Sequence, residues 1–212
     1  LQGTKKLNAM YVPKSFQFDN PAEKIAFMQR YPFATLVTVA HGLPLATHLP
    51  FAVEEKDGKV ILSSHFAAGN SQTQYVETGS SLVIFSEPHA YISPRHYDKQ
   101  ESVPTWDYIA VHAYGKCRIE QDADAKLILL EKMIRFYEPN YLQQWTSLSH
   151  RFRMGMLSGL TAFTLEVTEL QGQRKLSQNK TITERTRIIR QLEESPVGIE
   201  QDLAKYIQNT LK

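Results

Sequence analysis

From Phe33 to Glu87 the chain alternates β-branched runs with tight turns, and this pattern restricts its fold more than any other feature. FATLVTVA (33–40) reads as a strand, and HGLP turns the chain into PLATHLPFAVEE. Asp57-Gly58 sits between Val53 and KVILSSH, a pair that takes the positive φ angles of a two-residue hairpin. SLVIFSE (81–87), Tyr108 to Ile119 and Thr161 to Thr168 extend the series. Six or so strands joined by short links predict a mainly β fold with added helices, a small antiparallel barrel rather than a βαβ sheet.

Helices punctuate this pattern. Asn20-Pro21 opens one that Tyr31-Pro32 closes, with Ile25, Phe27 and Met28 as its apolar side. DADAKLILLEKMIRFY (122–137) carries apolar residues at helical spacing and acidic residues in its first turn, and Pro139 ends it. Thr181 to Leu192 and Ile199 to Leu211 form a terminal pair split by SPVG. That pair has about the linker length of a helix-turn-helix, but amphipathic C-terminal helices more often dock on their own domain. The expected organisation is a barrel over 10–170, a helical insertion at 122–156, and a basic segment with helices at 171–212 packed on the same domain.

The bulk numbers exclude little. With 212 residues and a net charge of +2, a sizeable core is available and the overall field favours neither nucleic acid nor its exclusion. Cys117 is the single cysteine, which rules out an internal disulfide and suits a reducing compartment. No apolar run reaches membrane-spanning length, and the opening LQGTKKLNAMYVP lacks an apolar export core, so the cytoplasm and no membrane partner are expected. Dinucleotide glycine signatures, phosphate loops and nucleophile elbows are missing, and the seven histidines show no compact metal-ligand spacing.

Three segments carry the candidate chemistry. AYISPRHYDKQESVPTWDYIAVHAYG (90–115) is a long aromatic connection entering a strand near Trp106; such connections are often functional, or the aromatics simply cover a barrel end. HFAAGNSQ (65–72) joins a strand to a short helix, where Asn70 and Ser71 either cap the helix or help hold a phosphate. RKLSQNK (174–180) begins a stretch with six Lys or Arg and one acid, Glu184, up to residue 190. That excess faces an anionic cofactor, a phosphate backbone or only water.

MYVPKSF, HFAAGNSQ, AYISPRHY, VPTWDYIAVHAYG and KLSQNK, in this order, resemble the PaiB-type FMN-binding negative transcriptional regulators from about Met10 to Arg190. The resemblance implies an FMN-binding split β-barrel, pyridoxamine-phosphate-oxidase-like, acting as a homodimer, with DNA or a regulatory protein as a further partner. An FMN-dependent oxidoreductase or flavin reductase is the alternative reading, and a split barrel that has lost flavin binding is a third. The family's first junction commonly carries an arginine where this chain has Ala68, and Asp107 stands where Asn is commoner. Arg95, Lys175 and Lys180 are the cations available to compensate for the missing phosphate clamp. The resemblance assigns His65, Asn70, Ser71 and Lys175 to the phosphate side. Trp106, His112, Ser177 and Gln178 fall to the ring or a dimer seam, and Asn179 serves as a further donor. Trp106, Tyr91 and Tyr97 can supply ring walls, and of the assigned residues Trp106 has the strongest claim to plain packing, because a large aromatic in a strand is usually core.

Overall fold

The computed structural model describes residues 10–211, so most of the opening stretch read for an export signal lies outside the described residues. The chain divides into two compact units. The first comprises 21–85 and 112–170; the second comprises 86–111 and 171 onward together with the described residues 10–20.

The first unit is built on antiparallel strands. Strand β1 (Phe33–Ala40) turns through His41 and Gly42, at φ of 51° and 81°, into β2 (Leu43–Pro50). β3 (Ala52–Lys56) turns through Asp57 and Gly58, at 52° and 72°, into β4 (Lys59–Ala67). The Asp57-Gly58 hairpin is of the expected two-residue kind, and the HGLP turn is one too, with positive φ at both turn positions. β5 (Ser80–Phe85) pairs with β1, and β4 pairs with the strand that begins at Leu160. Alternate residues of β1 point inward: Ala34, Leu36, Thr38 and Ala40 are buried. The core centres on phenylalanines, with Phe66 stacked on Phe163 at 4.9 Å and Phe51 edge-on to Phe85 and Phe163 at 5.9 and 6.2 Å.

Helix α1 (Pro21–Arg30) buries Ile25, Phe27 and Met28, the side expected from its spacing. The 122–156 region resolves into three helices: α2 (Ala123–Tyr137), α3 (Tyr141–Ser147) and α4 (His150–Leu157). Asp122 caps α2 by accepting from the Ala125 amide at 2.8 Å, and Leu129 and Met133 pack on Ala52 and Ala162.

The second unit holds β6 (His89–Ile92), which pairs with the start of β7 (Thr105–Ile119). It also holds the end of β8 (Leu160–Lys175), and β7 and β8 run through both units. Strand order in the sheet is β2-β1-β5-β7-β8-β4-β3, with β6 on β7. Helices α5 (Ile182–Glu193) and α6 (Gly198–Asn209) pack on each other, and α6 also packs on β6. Thr181 and Glu184 form a reciprocal capping box at the start of α5. Among the described residues no helix is long and apolar enough to cross a membrane.

Candidate functional site

In the second unit, Asp107 sits fully buried on β7 (0% exposed), an expensive place for a carboxylate without partners. The Ser177 hydroxyl donates to its Oδ2 at 2.6 Å, and the Lys175 ammonium lies 3.7 Å from its Oδ1. Burial pushes the Asp107 carboxyl above its usual range, with Ser177 and Lys175 pulling the other way. Lys175 also donates to the Thr105 hydroxyl and the Trp106 carbonyl. Thus the KLSQN turn is tied to the VPTWD strand through its own side chains.

The same turn is braced internally. Ser177 takes φ of 54°, a left-handed conformation that costs a non-glycine residue about 1 kcal/mol or more. Gln178 offsets this by accepting from the Leu176 amide and donating to the Arg174 carbonyl, each at 2.7 Å. Asn179 is exposed and joins Tyr97, Pro104, Thr105, Lys175 and Lys180 around a small cavity of about 200 Å³. The Tyr97 hydroxyl is sealed from solvent with no hydrogen-bond partner, and Lys180 lies over the Tyr97 ring at 3.6 Å.

Trp106 is not core. It is 54% exposed on β7, edge-on to Tyr91 and tilted against His89, each at 6.0 Å. The packing alternative therefore fails for this residue. An indole face left open beside two further rings suits a flat heteroaromatic ligand or an apolar partner surface.

The basic stretch is consumed by its own unit. Arg174 covers the Phe18 ring at 5.0 Å, Lys175 serves Asp107, and Lys180 serves Tyr97. Arg185 is buried and donates to Ile207 and Thr210 of the α6 region, while Arg187 pairs with Asp98 at 2.7 Å. Five of the six cations thus hold the fold together, and this cluster does not present a row of free charges to a phosphate backbone. Of the cations weighed against the loss at Ala68, Lys175 and Lys180 are engaged, and Arg95 is exposed.

The first unit carries the remaining candidates. Asn70 caps a short 3₁₀ turn (Ser71–Gln74): its Oδ1 accepts from the Gln72 amide at 2.9 Å and its Nδ2 donates to the Thr47 hydroxyl at 3.1 Å. Ala68, Gly69 and Ser71 are exposed beside it. Both readings of this junction, cap and anion contact, are open to the same residues, since capping uses Asn70 and leaves Ser71 free to donate. His65 on β4 and His112 on β7 each have a sealed Nδ1 without a partner, and burial lowers the pKa of both from 6.5. Within this unit the exposed Ser71 hydroxyl and the Asn70 side chain are the groups placed to meet an anionic ligand, while the open face of Trp106 belongs to the second unit.

The two lowered histidines give a pH prediction. The unfolded chain takes up protons near pH 6.5 that the native state resists, so stability falls as pH drops below that value. A His65→Phe/His112→Phe double variant should lose less stability than wild type between pH 7 and 5 in urea unfolding. Identical slopes would contradict the assignment.

In the sequence Asp107 stands out only as a departure from Asn, and its role as a hub comes from the contacts of the fold. An aspartate in the middle of a run otherwise apolar on one face was the available signal.

Comparison with known proteins shows the family. A family model described as "Putative FMN-binding domain" matches residues 10–169. The chain belongs to this PaiB-type FMN-binding family. It is 38% identical over 207 residues, 96% of this chain and 99% of the relative, to Protease synthase and sporulation protein PAI 2 of Bacillus subtilis (strain 168). Among solved structures, the flavocytochrome Anf3 from Azotobacter vinelandii superposes with a TM-score of 0.61 at 14% identity, covering 79% of this chain and 74% of that one. The FAD and heme binding protein from Mycobacterium smegmatis gives 0.59 at 16% identity, covering 75% and 73%. At such identities the likeness is one of fold.

Proposed function

We propose that this chain is an FMN-binding, PaiB-like negative transcriptional regulator that works in the cytoplasm as a homodimer on a pyridoxamine-phosphate-oxidase-like split barrel. Residues 10–170 form the flavin-binding domain with its helical insertion at 122–156, and 171–212 form its C-terminal part. The observation that carries the reading is 38% identity over 96% of the chain to a relative whose name assigns it to protease synthesis and sporulation.

In this reading Asn70 and Ser71 face the FMN phosphate, with Ala68 offering no side-chain donor there. Within the first unit His65 and His112 are the further candidates for the flavin's polar groups; within the second, Trp106 is the candidate ring wall and Asn179 a candidate donor. Lys175, Ser177 and Gln178 act by holding the turn that carries Asn179, because their polar atoms are engaged with Asp107, Thr105 and the local backbone. Bound flavin supplies reversible electron and hydride transfer. The exposed Trp106, Tyr91 and Val103 supply apolar surface for the second copy.

The test is capture of genomic DNA fragments by FMN-loaded protein at physiological salt, in both flavin redox states, beside an assay of NADH oxidation. The regulator reading predicts a defined set of enriched fragments whose binding weakens as salt rises. Steady NADH turnover with no fragment enriched would overturn it in favour of a flavin reductase.

A further inference from the structure

Strands β2, β1 and β5 of the first unit are apolar on both faces, where one apolar face would suffice. The core side is set by Ala34, Leu36 and Ala40 of β1, with Leu49 of β2 and Val83 and Phe85 of β5, all buried. The register fixes what the other side carries: the odd residues 33 to 39 of β1, the even residues 44 to 50 of β2, and Leu82 and Ile84 of β5. None of these positions is charged, and Thr35 and His48 are the only polar ones. An antiparallel sheet with one solvated face ordinarily alternates apolar inside with polar outside, and this face breaks that rule.

The two polar side chains already serve each other. The Thr35 hydroxyl and His48 Nδ1 are hydrogen-bonded at 2.9 Å, and the imidazole stacks on Phe33 at 6.4 Å. Covering the face strands neither of these two atoms. From strand length and spacing the face measures about 25 by 14 Å, on the order of 350 Å². That suits the charge-poor centre of a stable interface, to which each partner gives roughly 800 Å² with its polar rim included. A surface without charge also selects a partner without charge, since a charge buried against it would stand unpaired. A second copy brings such a surface by symmetry. Shape supplies the orientation: Phe33 and His48 make one end bulky, and Val39, Pro44 and Ala46 make the other end small. A twofold axis running across the strands sets the ring end of each face on the small end of the other.

We infer that the outer face of β2, β1 and β5 seats a second copy of this chain, the two sheets packed face to face with Phe33 of one copy against Val39 of the other. The inference rests on the homodimer reading and gives it a contact on the first unit, in addition to the apolar surface of the second. Sheets pack this way in β-sandwiches, with side chains of the two faces interdigitating.

Analytical ultracentrifugation of the full chain, from nanomolar to tens of micromolar, tests this directly. Wild type is expected to sediment as a dimer. Phe33→Glu and Val39→Lys each alter a side chain that is exposed in the single chain, so both should keep the wild-type circular dichroism spectrum. Each should weaken dimerisation about a hundredfold or more, because it buries an unpaired charge twice across the twofold axis. Mixing the two variants should restore a dimer, since the introduced charges then meet, a result that misfolding would not produce. A dimer unaffected by either variant, or a mixture that stays monomeric, would overturn the inference. A dimer kept in both variants but lost in Trp106→Glu would also overturn it, while the homodimer reading would stand with its contact on the second unit. Wild type that stays monomeric at tens of micromolar would overturn both and leave the face to a different protein.

Discussion

Gly115→Val is expected to abolish soluble folded protein. Gly115 is buried on β7, and a Cβ at this position would stand 3.0 Å from the carbonyl carbon of Glu166 on β8 and closer still to its oxygen and to Leu165 Cδ2. Two of those atoms are backbone of a core strand, so the strain cannot be relieved by a side-chain rotation. Overpacking ordinarily costs about 1–3 kcal/mol. A clash against a main-chain carbonyl belongs at or above that upper end, a large share of the roughly 5–15 kcal/mol that holds a protein folded. Gly115→Ala should therefore lower Tm by about 10 °C in calorimetry. Gly155→Ala, on helix α4 with nothing within 4 Å of its added Cβ, is the matched control and should keep or slightly raise Tm. Equal Tm values for the two alanine variants would show that β7 and β8 do not approach as described.

The second large effect is at Asp107. Its removal as Asp107→Ala leaves the buried Ser177 hydroxyl without an acceptor and deprives Lys175 of its carboxylate. Breaking a buried pair from one side costs about 3–5 kcal/mol. Asp107→Asn keeps an oxygen for Ser177 and buries no charge, so it should cost far less, about 1 kcal/mol or under. The contrast separates a hydrogen-bonding hub from a required charge. It also has a pH signature. The folded carboxyl titrates above its ordinary value of 3.8, so in acid the native state takes up a proton that the unfolded chain does not. Wild type should gain stability relative to Asp107→Asn as pH falls toward 4, measured by urea unfolding across that range. Equal destabilisation by Ala and Asn would mean that the charge itself holds the turn.

Local chemistry made much of this fold legible. Asp57-Gly58 announces its hairpin because few residue pairs accept positive φ, α1, α2 and α5 announce themselves by caps and spacing, and α6 does so by spacing alone. β6 was hidden inside the aromatic connection: four residues, HAYI, with a histidine and an exposed tyrosine, carry too little pattern to read as a strand. Helices α3 and α4 are seven and eight residues long, too short for a period to show. At the candidate site, residue types were readable and their partners were not. Lys175, Ser177 and Gln178 look like ligand donors in sequence because each carries polar atoms in a tight run. Only the return of the chain across 70 residues shows that Ser177 and Lys175 spend theirs on Asp107 and its neighbours. The basic run misleads for the same reason, since burial of Arg185 and the pairing of Arg187 with Asp98 depend on contacts distant in sequence. Trp106 errs in the opposite direction: a large aromatic in a strand reads as core, yet its side chain faces outward on a hairpin beside Tyr91.

The central claim, that this chain binds FMN, is tested most directly by titrating flavin-free protein with FMN and following flavin fluorescence and visible absorbance. We predict saturation near one FMN per chain. Ala68→Arg, at an exposed position where nothing need move, should tighten binding by about tenfold or more, as a charge-assisted contact to the phosphate would. Absence of saturation at micromolar FMN in both wild type and Ala68→Arg would contradict the account and leave a member of this family without its flavin.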